Sequence, residues 1–189
     1  MKNLFEQCLA SLRVVAATLA VCSGLYVLVI LGAAQLFTPH TANGSLIEDG
    51  KGGYVGSELL ATGFTRPEYL WPRPSACNYD ASATGGSNLS PTSDALRERV
   101  QGSIAQYGVE AGTLLPTDLV TASGGGLDPH ITLQGALVQT ARIAGARGVD
   151  AAKVEGIVRA HGSRPGWILG GDPIVNVLLV NLDLDKRLR

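Results

Sequence analysis

The chain has 189 residues, 46% of them hydrophobic and 5% aromatic, and a formal net charge of −1. Only Lys2, Glu6 and Arg13 are charged in the first 37 residues, so 13 basic and 15 acidic residues remain beyond them, with no basic patch. That excludes binding driven by phosphate neutralisation, which needs clustered Lys and Arg. Cys8 and Cys22 precede residue 38 and Cys77 stands alone after it, so no disulfide framework defines the domain.

Val14 to Phe37 is a run of 24 uncharged residues between Arg13 and a polar stretch whose next charge is Glu48. A helix of that length spans ~36 Å, against a hydrocarbon core of ~30 Å. Gly32-Ala33-Ala34 offers a small-residue cleavage site, but the run exceeds the roughly 7–15 residues of a cleaved signal peptide's apolar core. Leu19-Ala20-Val21-Cys22 is a poor lipoprotein site because Val21 is bulky. The run is therefore read as one retained transmembrane helix, residues 14–37. Lys2 and Arg13 precede it, and no Lys or Arg follows until Lys51. The positive-inside bias puts residues 1–13 in the cytoplasm and residues 38–189 outside, as an extracytoplasmic (periplasmic) domain.

Ala16, Ala20 and Gly24 recur every four residues, and Gly32 continues the row. Such a stripe lets a partner helix approach closely. The run holds no ionisable side chain. Ion pathways usually carry intramembrane charge, so any conduction belongs to other chains.

Beyond the span, Ser45-Leu46-Ile47 and Tyr54 to Leu60 read as short extended pieces. Thr65 to Ser75 holds Pro67, Pro72 and Pro74 with Tyr69 and Trp71. Three prolines forbid a regular helix there. Its aromatics suit either a docking surface or packing against helices. Ala76 to Ser90 is a long Ser/Thr/Gly/Asn loop, which suggests a functional or tightly pinned segment.

Ser93 to Tyr107 predicts a helix with Leu96, Val100, Ile104 and Tyr107 on one face and Gly108 as its stop. Leu119 to Ala122 is a strand candidate. Thr132 is a candidate cap for one helix running through Arg147 to Gly148, and Asp150 for the next, Ala151 to His161. Ile174 to Leu184 is nearly continuous in apolar residues, and periodicity leaves strand and helix both open. The domain is expected to be α+β, with about 150 residues, enough for a core without staples.

Candidate chemistry is sparse. His40, His130 and His161 are scattered and show no zinc spacing. Ser123, Asp128 and His130 would be the best residues of an anchored hydrolase, but no nucleophile-elbow motif accompanies them. Gly85-Gly86-Ser87-Asn88 and Ser123-Gly124-Gly125-Gly126 lack the Gly-Lys-Ser/Thr ending of a phosphate loop and read as turns. Asn43-Gly44-Ser45 and Asn88-Leu89-Ser90 match a glycosylation pattern that is common by chance.

An ordered series of longer motifs is more specific: Asn43-Gly44-Ser45-Leu46-Ile47, Gly56-Ser57, Gly63-Phe64, Trp71-Pro72-Arg73-Pro74-Ser75-Ala76, Gly85-Gly86-Ser87-Asn88-Leu89, Leu119-Val120-Thr121-Ala122-Ser123, Gly126-Leu127-Asp128, Ile131-Thr132, Pro173-Ile174-Val175-Asn176-Val177, Asn181-Leu182 and Leu184-Asp185. Across essentially the whole chain this series resembles the C subunits of the Kdp potassium-transporting P-type ATPases. Ser123 to Gly126 is more glycine-rich than the corresponding family stretch. The resemblance implies a non-catalytic, single-pass subunit of a bacterial inner-membrane complex. Its implied partners are the channel-like A subunit (KdpA), the P-type ATPase B subunit (KdpB) and the small F subunit (KdpF). It also implies a catalytic chaperone that raises the ATP affinity of the B subunit, with no cofactor bound firmly and ATP met in a transient ternary complex. Gln134 and Gln139 are the residues to test for that nucleotide role. Asn43, Gly44, Trp71, Arg73, Gly85, Gly86, Ser87, Asn88 and Asp128 are the implied subunit-contact or structural positions. ATP is cytoplasmic and the charge bias puts the domain outside, so an effect on ATP affinity has to pass through the membrane subunits.

Overall fold

The computed structural model describes residues 2–108, 114–166 and 170–188, and the chain divides into two units, Met1–Leu46 and Ile47–Arg189. The first unit is helix α1 (Lys2–Leu19), a π-helical turn (Ala20–Leu25), helix α2 (Tyr26–Phe37) and a single turn, α3 (Pro39–Ala42). Among the described residues one helical run, Asn3–Phe37, is long and apolar enough to cross a membrane. Its Val14, Leu19, Leu25 and Leu28 are all more than half exposed, as suits a surface facing lipid. The π turn follows Ala16 and contains both Ala20 and Gly24.

The second unit mixes helix and strand. Strands β1 (Leu46–Glu48, starting on the last residue of the first unit) and β2 (Tyr54–Ser57) pair around Asp49, whose carboxylate accepts from the Lys51 and Gly53 amides. Helix α4 (Asp94–Tyr107) starts at Ser93, whose hydroxyl accepts from the Leu96 amide, and stops at left-handed Gly108. Leu96, Val100 and Tyr107 turn partly inward, but Ile104 is 43% exposed and leaves the expected apolar face.

The expected strand at Leu119–Ala122 is instead a one-turn helix, α5 (Thr117–Val120). Pro116 starts it, and Thr121 closes it by donating both its amide and its hydroxyl to the Thr117 carbonyl. The turn buries Leu119 completely and aims Asp118 at the next element. That element is strand β3 (His130–Thr132), paired antiparallel with β4 (Ile174–Asn176) so that Ile131 faces Val175.

The single helix expected from Thr132 to Arg147 is broken into α6 (Leu133–Val138) and α7 (Thr140–Arg147). Gln139 causes the break. Its side-chain amide donates to the Gly135 carbonyl, the acceptor its own backbone N–H would use in a continuous helix. The backbone N–H turns to Ala136 instead. Helix α8 (Ala151–Ala160) is capped by Asp150 and buries Val154, Ile157 and Val158. The ambiguous apolar run resolves into both alternatives, three residues of strand β4 and then helix α9 (Val177–Arg187), with Asn176 as the cap between them. The core gathers Leu70, Leu119, Ile131, Ile143, Val158, Val175, Val180 and Leu184.

The proline-rich segment is held against this core by side chains. Asn181 accepts from the Leu70 amide at 2.7 Å and donates to the Leu70 carbonyl at 3.0 Å. Gln139 does the same for Trp71, at 2.9 and 3.2 Å. Each carboxamide supplies the donor and acceptor that a neighbouring strand would supply. Arg142 adds donors to the Pro67 and Tyr69 carbonyls, and Arg147 to that of Glu68. The Arg142 guanidinium lies 3.5 Å over the Trp71 ring, and Tyr107 tilts against that ring at 5.6 Å. Burial lowers the Arg142 pKa to about 10, which still leaves it charged at neutral pH.

On the far side of α9, Asp183 accepts from Arg187 at 2.7 Å and pairs with His161 at 3.0 Å. Burial pushes the Asp183 carboxyl up, but these hydrogen bonds outweigh it and hold its pKa below the ordinary 3.8. A depressed carboxyl stabilises the fold above that ordinary value and ceases to as pH falls through the folded one. Thermal unfolding of Asp183→Asn should therefore show a lower midpoint than wild type at pH 7, with the two converging as pH drops below 3.8. Asn181→Leu leaves two buried backbone groups unpaired and should cost about 2–5 kcal/mol in denaturant unfolding.

Candidate functional site

A cleft of the second unit has a volume of about 790 Å³. Its walls are Leu115, Pro116, Leu133, Leu137 and Pro173. Its polar groups come from Arg73, Thr117, Asp118, Thr132, Gln134, Arg159 and Asp172. Leu114, at its rim, is 91% exposed.

The cleft floor is set by a capping exchange. Asp118 accepts from the Thr132 amide at 2.6 Å and from its hydroxyl at 3.2 Å, and that hydroxyl accepts from Gly135 at 2.9 Å. The carboxylate thus fixes the capping residue Thr132, and the Thr132 hydroxyl satisfies the Gly135 amide in the first turn of α6. Gln134 sits on this first turn, exposed and facing the cleft. Gln139 is only 1% exposed, and both ends of its amide are committed to Trp71, Gly135 and Arg142. The two glutamines paired in the sequence reading are thus in different environments, one open and one spent on the fold.

Arg73 and Asp128, 55 positions apart, meet at 3.2 Å. Arg73 also reaches the Ala122 carbonyl at 3.4 Å. Trp71 is buried, so of its two sequence readings the structure takes packing against helices. Ser75 ties the neighbouring loop down. Its hydroxyl donates to the Gly126 carbonyl at 2.7 Å and accepts from the Tyr79 amide at 3.0 Å. Gly85 donates to the Gly125 carbonyl, and a Cβ on Gly86 would stand 2.8 Å from the Gly124 carbonyl oxygen. Ser87 is half-buried and Asn88 exposed with φ of 49°. Asn43 and Gly44 lie in the first unit, where the Asn43 side chain pairs with Gln35.

The hydrolase residues are not joined as a catalytic set. Asp128 accepts from the His130 amide and lies 3.5 Å from its Nδ1, while the buried Ser123 hydroxyl meets neither. Among the described residues no group of three or more His, Cys, Asp or Glu side chains is placed to hold a metal ion. Composition alone did not reveal the cleft, because α5, β3 and α8 contribute only one or two residues each from distant positions.

Against this geometry the sequence comparisons are decisive. The profile of the family described as "KdpC: K+-transporting ATPase, c chain" matches residues 8–186. The chain belongs to the KdpC family. A potassium-transporting ATPase KdpC subunit of Parvibaculum lavamentivorans is 46% identical over 181 residues, covering 96% of this chain and 97% of its own. That of Myxococcus xanthus is 44% identical over 189 residues, covering 97% and 90%. That of Caulobacter sp. (strain K31) is 47% identical over 167 residues, covering 86% and 84%.

The glycine-rich turn of this KdpC-family chain makes a sharp prediction. Gly126 has φ of +76°, and a Cβ there would stand 2.5 Å from Cys77 Sγ and 2.9 Å from the Gly85 carbonyl oxygen. A Cβ on Gly124 meets nothing within 4 Å. Gly126→Ala should lower stability by about 2–4 kcal/mol, and Gly124→Ala by less than about 1 kcal/mol, in parallel urea titrations.

Proposed function

We propose that this chain is the single-span accessory subunit of an ATP-driven potassium importer. It would work beside a channel-like subunit (KdpA), a P-type ATPase subunit (KdpB) and a small third partner (KdpF). The observation that carries the reading is membership of the KdpC family over residues 8–186 together with one apolar helix, Asn3–Phe37. The charge asymmetry about that helix supports a cytoplasmic N-terminus and an extracytoplasmic domain in a bacterial inner membrane.

The chemistry of the transport cycle belongs to the partners in this reading, and the chain itself is non-catalytic. It raises the ATP affinity of the ATPase subunit by favouring one of that subunit's conformations. By linkage, such a preference changes affinity at a distant site without any contact to the nucleotide. The uncharged span, with Ala16 and Ala20 leading into Gly24, is proposed to pack on a partner helix.

Purification in mild detergent through a C-terminal tag, with mass spectrometry and a potassium-stimulated ATPase assay, tests this directly. Recovery with a P-type ATPase and a channel-like subunit, with activity, is the expected result. Recovery alone would overturn it. Gly24→Leu should lower the yield of co-purified partners several-fold while leaving unfolding of the second unit unchanged, and full yield would remove helix packing at that face.

A further inference from the structure

The end of the apolar helix is closed by side chains. Thr38 leaves the helix at φ −140° and ψ 57°, with its amide and hydroxyl both donating to the Ala34 carbonyl. The chain then turns back through α3. Asn43 donates its amide to the Pro39 carbonyl, Gly44 to Thr41 and Ser45 to His40. Gly44 takes φ +84°, which glycine adopts freely, and Ser45 takes φ +48°, which a residue with a side chain rarely does.

Across the turn, two carboxamides meet. Gln35 Nε2 donates to Asn43 Oδ1 at 3.1 Å, and Asn43 Nδ2 donates back to Gln35 Oε1 at 3.3 Å. Asn43 Nδ2 also donates to the Pro39 carbonyl at 2.8 Å. A carboxamide carries its donor and its acceptor on separate atoms, so two of them close a reciprocal pair without placing charge beside hydrocarbon. Gln35 is also a polar side chain in the last turns of an otherwise apolar span, where an unpaired amide is costly.

We propose that Gln35 and Asn43 form a clamp that makes the end of the membrane helix and the chain up to Ser45 move as one rigid piece. The clamp sets the turnover of the complex without being needed for its assembly. This rests on the accessory-subunit reading above. Gln35 and Asn43 are positioning residues here and touch no substrate.

The test has two independent arms. In the intact complex, Gln35→Ala and Asn43→Ala should each reduce potassium-stimulated ATPase by about 3- to 10-fold at unchanged subunit recovery, the worth of a lost hydrogen-bonded pair. The double variant should be no worse than Asn43→Ala alone, because both singles remove the carboxamide pair and Asn43→Ala removes the Pro39 bond besides. The exchanged pair, Gln35→Asn with Asn43→Gln, should recover part of the loss. Wild-type turnover in the singles, multiplicative loss in the double, or loss of subunit recovery would each overturn the proposal. In the second arm the full-length chain alone, in lipid nanodiscs, is followed by hydrogen exchange at the Gly44 and Ser45 amides. Exchange should speed up at least about 3-fold in Gln35→Ala. Unchanged exchange would overturn the clamp whatever the complex does. An absent ATPase partner with accelerated exchange would overturn the accessory-subunit reading and leave the clamp standing.

Discussion

The second unit depends on satisfying the backbone of a buried segment that cannot join a sheet. Pro67, Pro72 and Pro74 remove donors and fix dihedrals on both sides of Leu70 and Trp71, so no strand can run alongside. Yet Leu70 is fully buried and Trp71 nearly so. The carboxamides of Asn181 and Gln139 resolve this by pairing with two consecutive residues as a strand would. Much else follows from their placement. Gln139 has to break its helix to reach, which makes α6 and α7 separate elements and turns Arg142 over the Trp71 ring. Asn181 has to face inward from the middle of α9, which fixes which side of that helix carries Val180 and Leu184 into the core.

The sequence was readable wherever structure is decided locally. Ser93 and Gly108 bracket α4 because a hydroxyl cap and a left-handed glycine act within a few residues, and Asp150 marks α8 for the same reason. It was unreadable where the deciding partner is remote. The break at Gln139 is invisible to periodicity, because the cause is Trp71, 68 positions away. Leu119 to Ala122 has the composition of a strand, but Pro116 and the pull of Asp118 toward Thr132 make it a turn of helix. Asn181 shows in the sequence only as a polar residue interrupting an apolar run.

The candidate site follows the same rule. Arg73 and Asp128 appear in the sequence as separate motif residues, and only the fold makes them an ion pair, with Arg73 lining the cleft. Gln134 and Gln139 look equivalent on one expected helix, yet the break gives one to solvent and the other to the interior. Among the motif residues, Trp71, Ser75 and Gly126 serve the fold itself, while Gln134 and Leu114, which lie outside those motifs, are available at a surface.

The two carboxamide pairings also impose an order on the making of the molecule. Leu70 waits for a partner 111 positions later in the chain, and Trp71 for one 68 positions later. A ribosome delivers residues from the N-terminus onward, so the proline segment is released long before the groups that complete it exist. Closing so long a loop is slow, and its entropy is lost before any contact compensates. The interior therefore stays provisional until α9 is delivered, and a chain stopped short of it has no means of sealing its middle. In the anchored reading proposed above, such a subunit is tethered first and finished last.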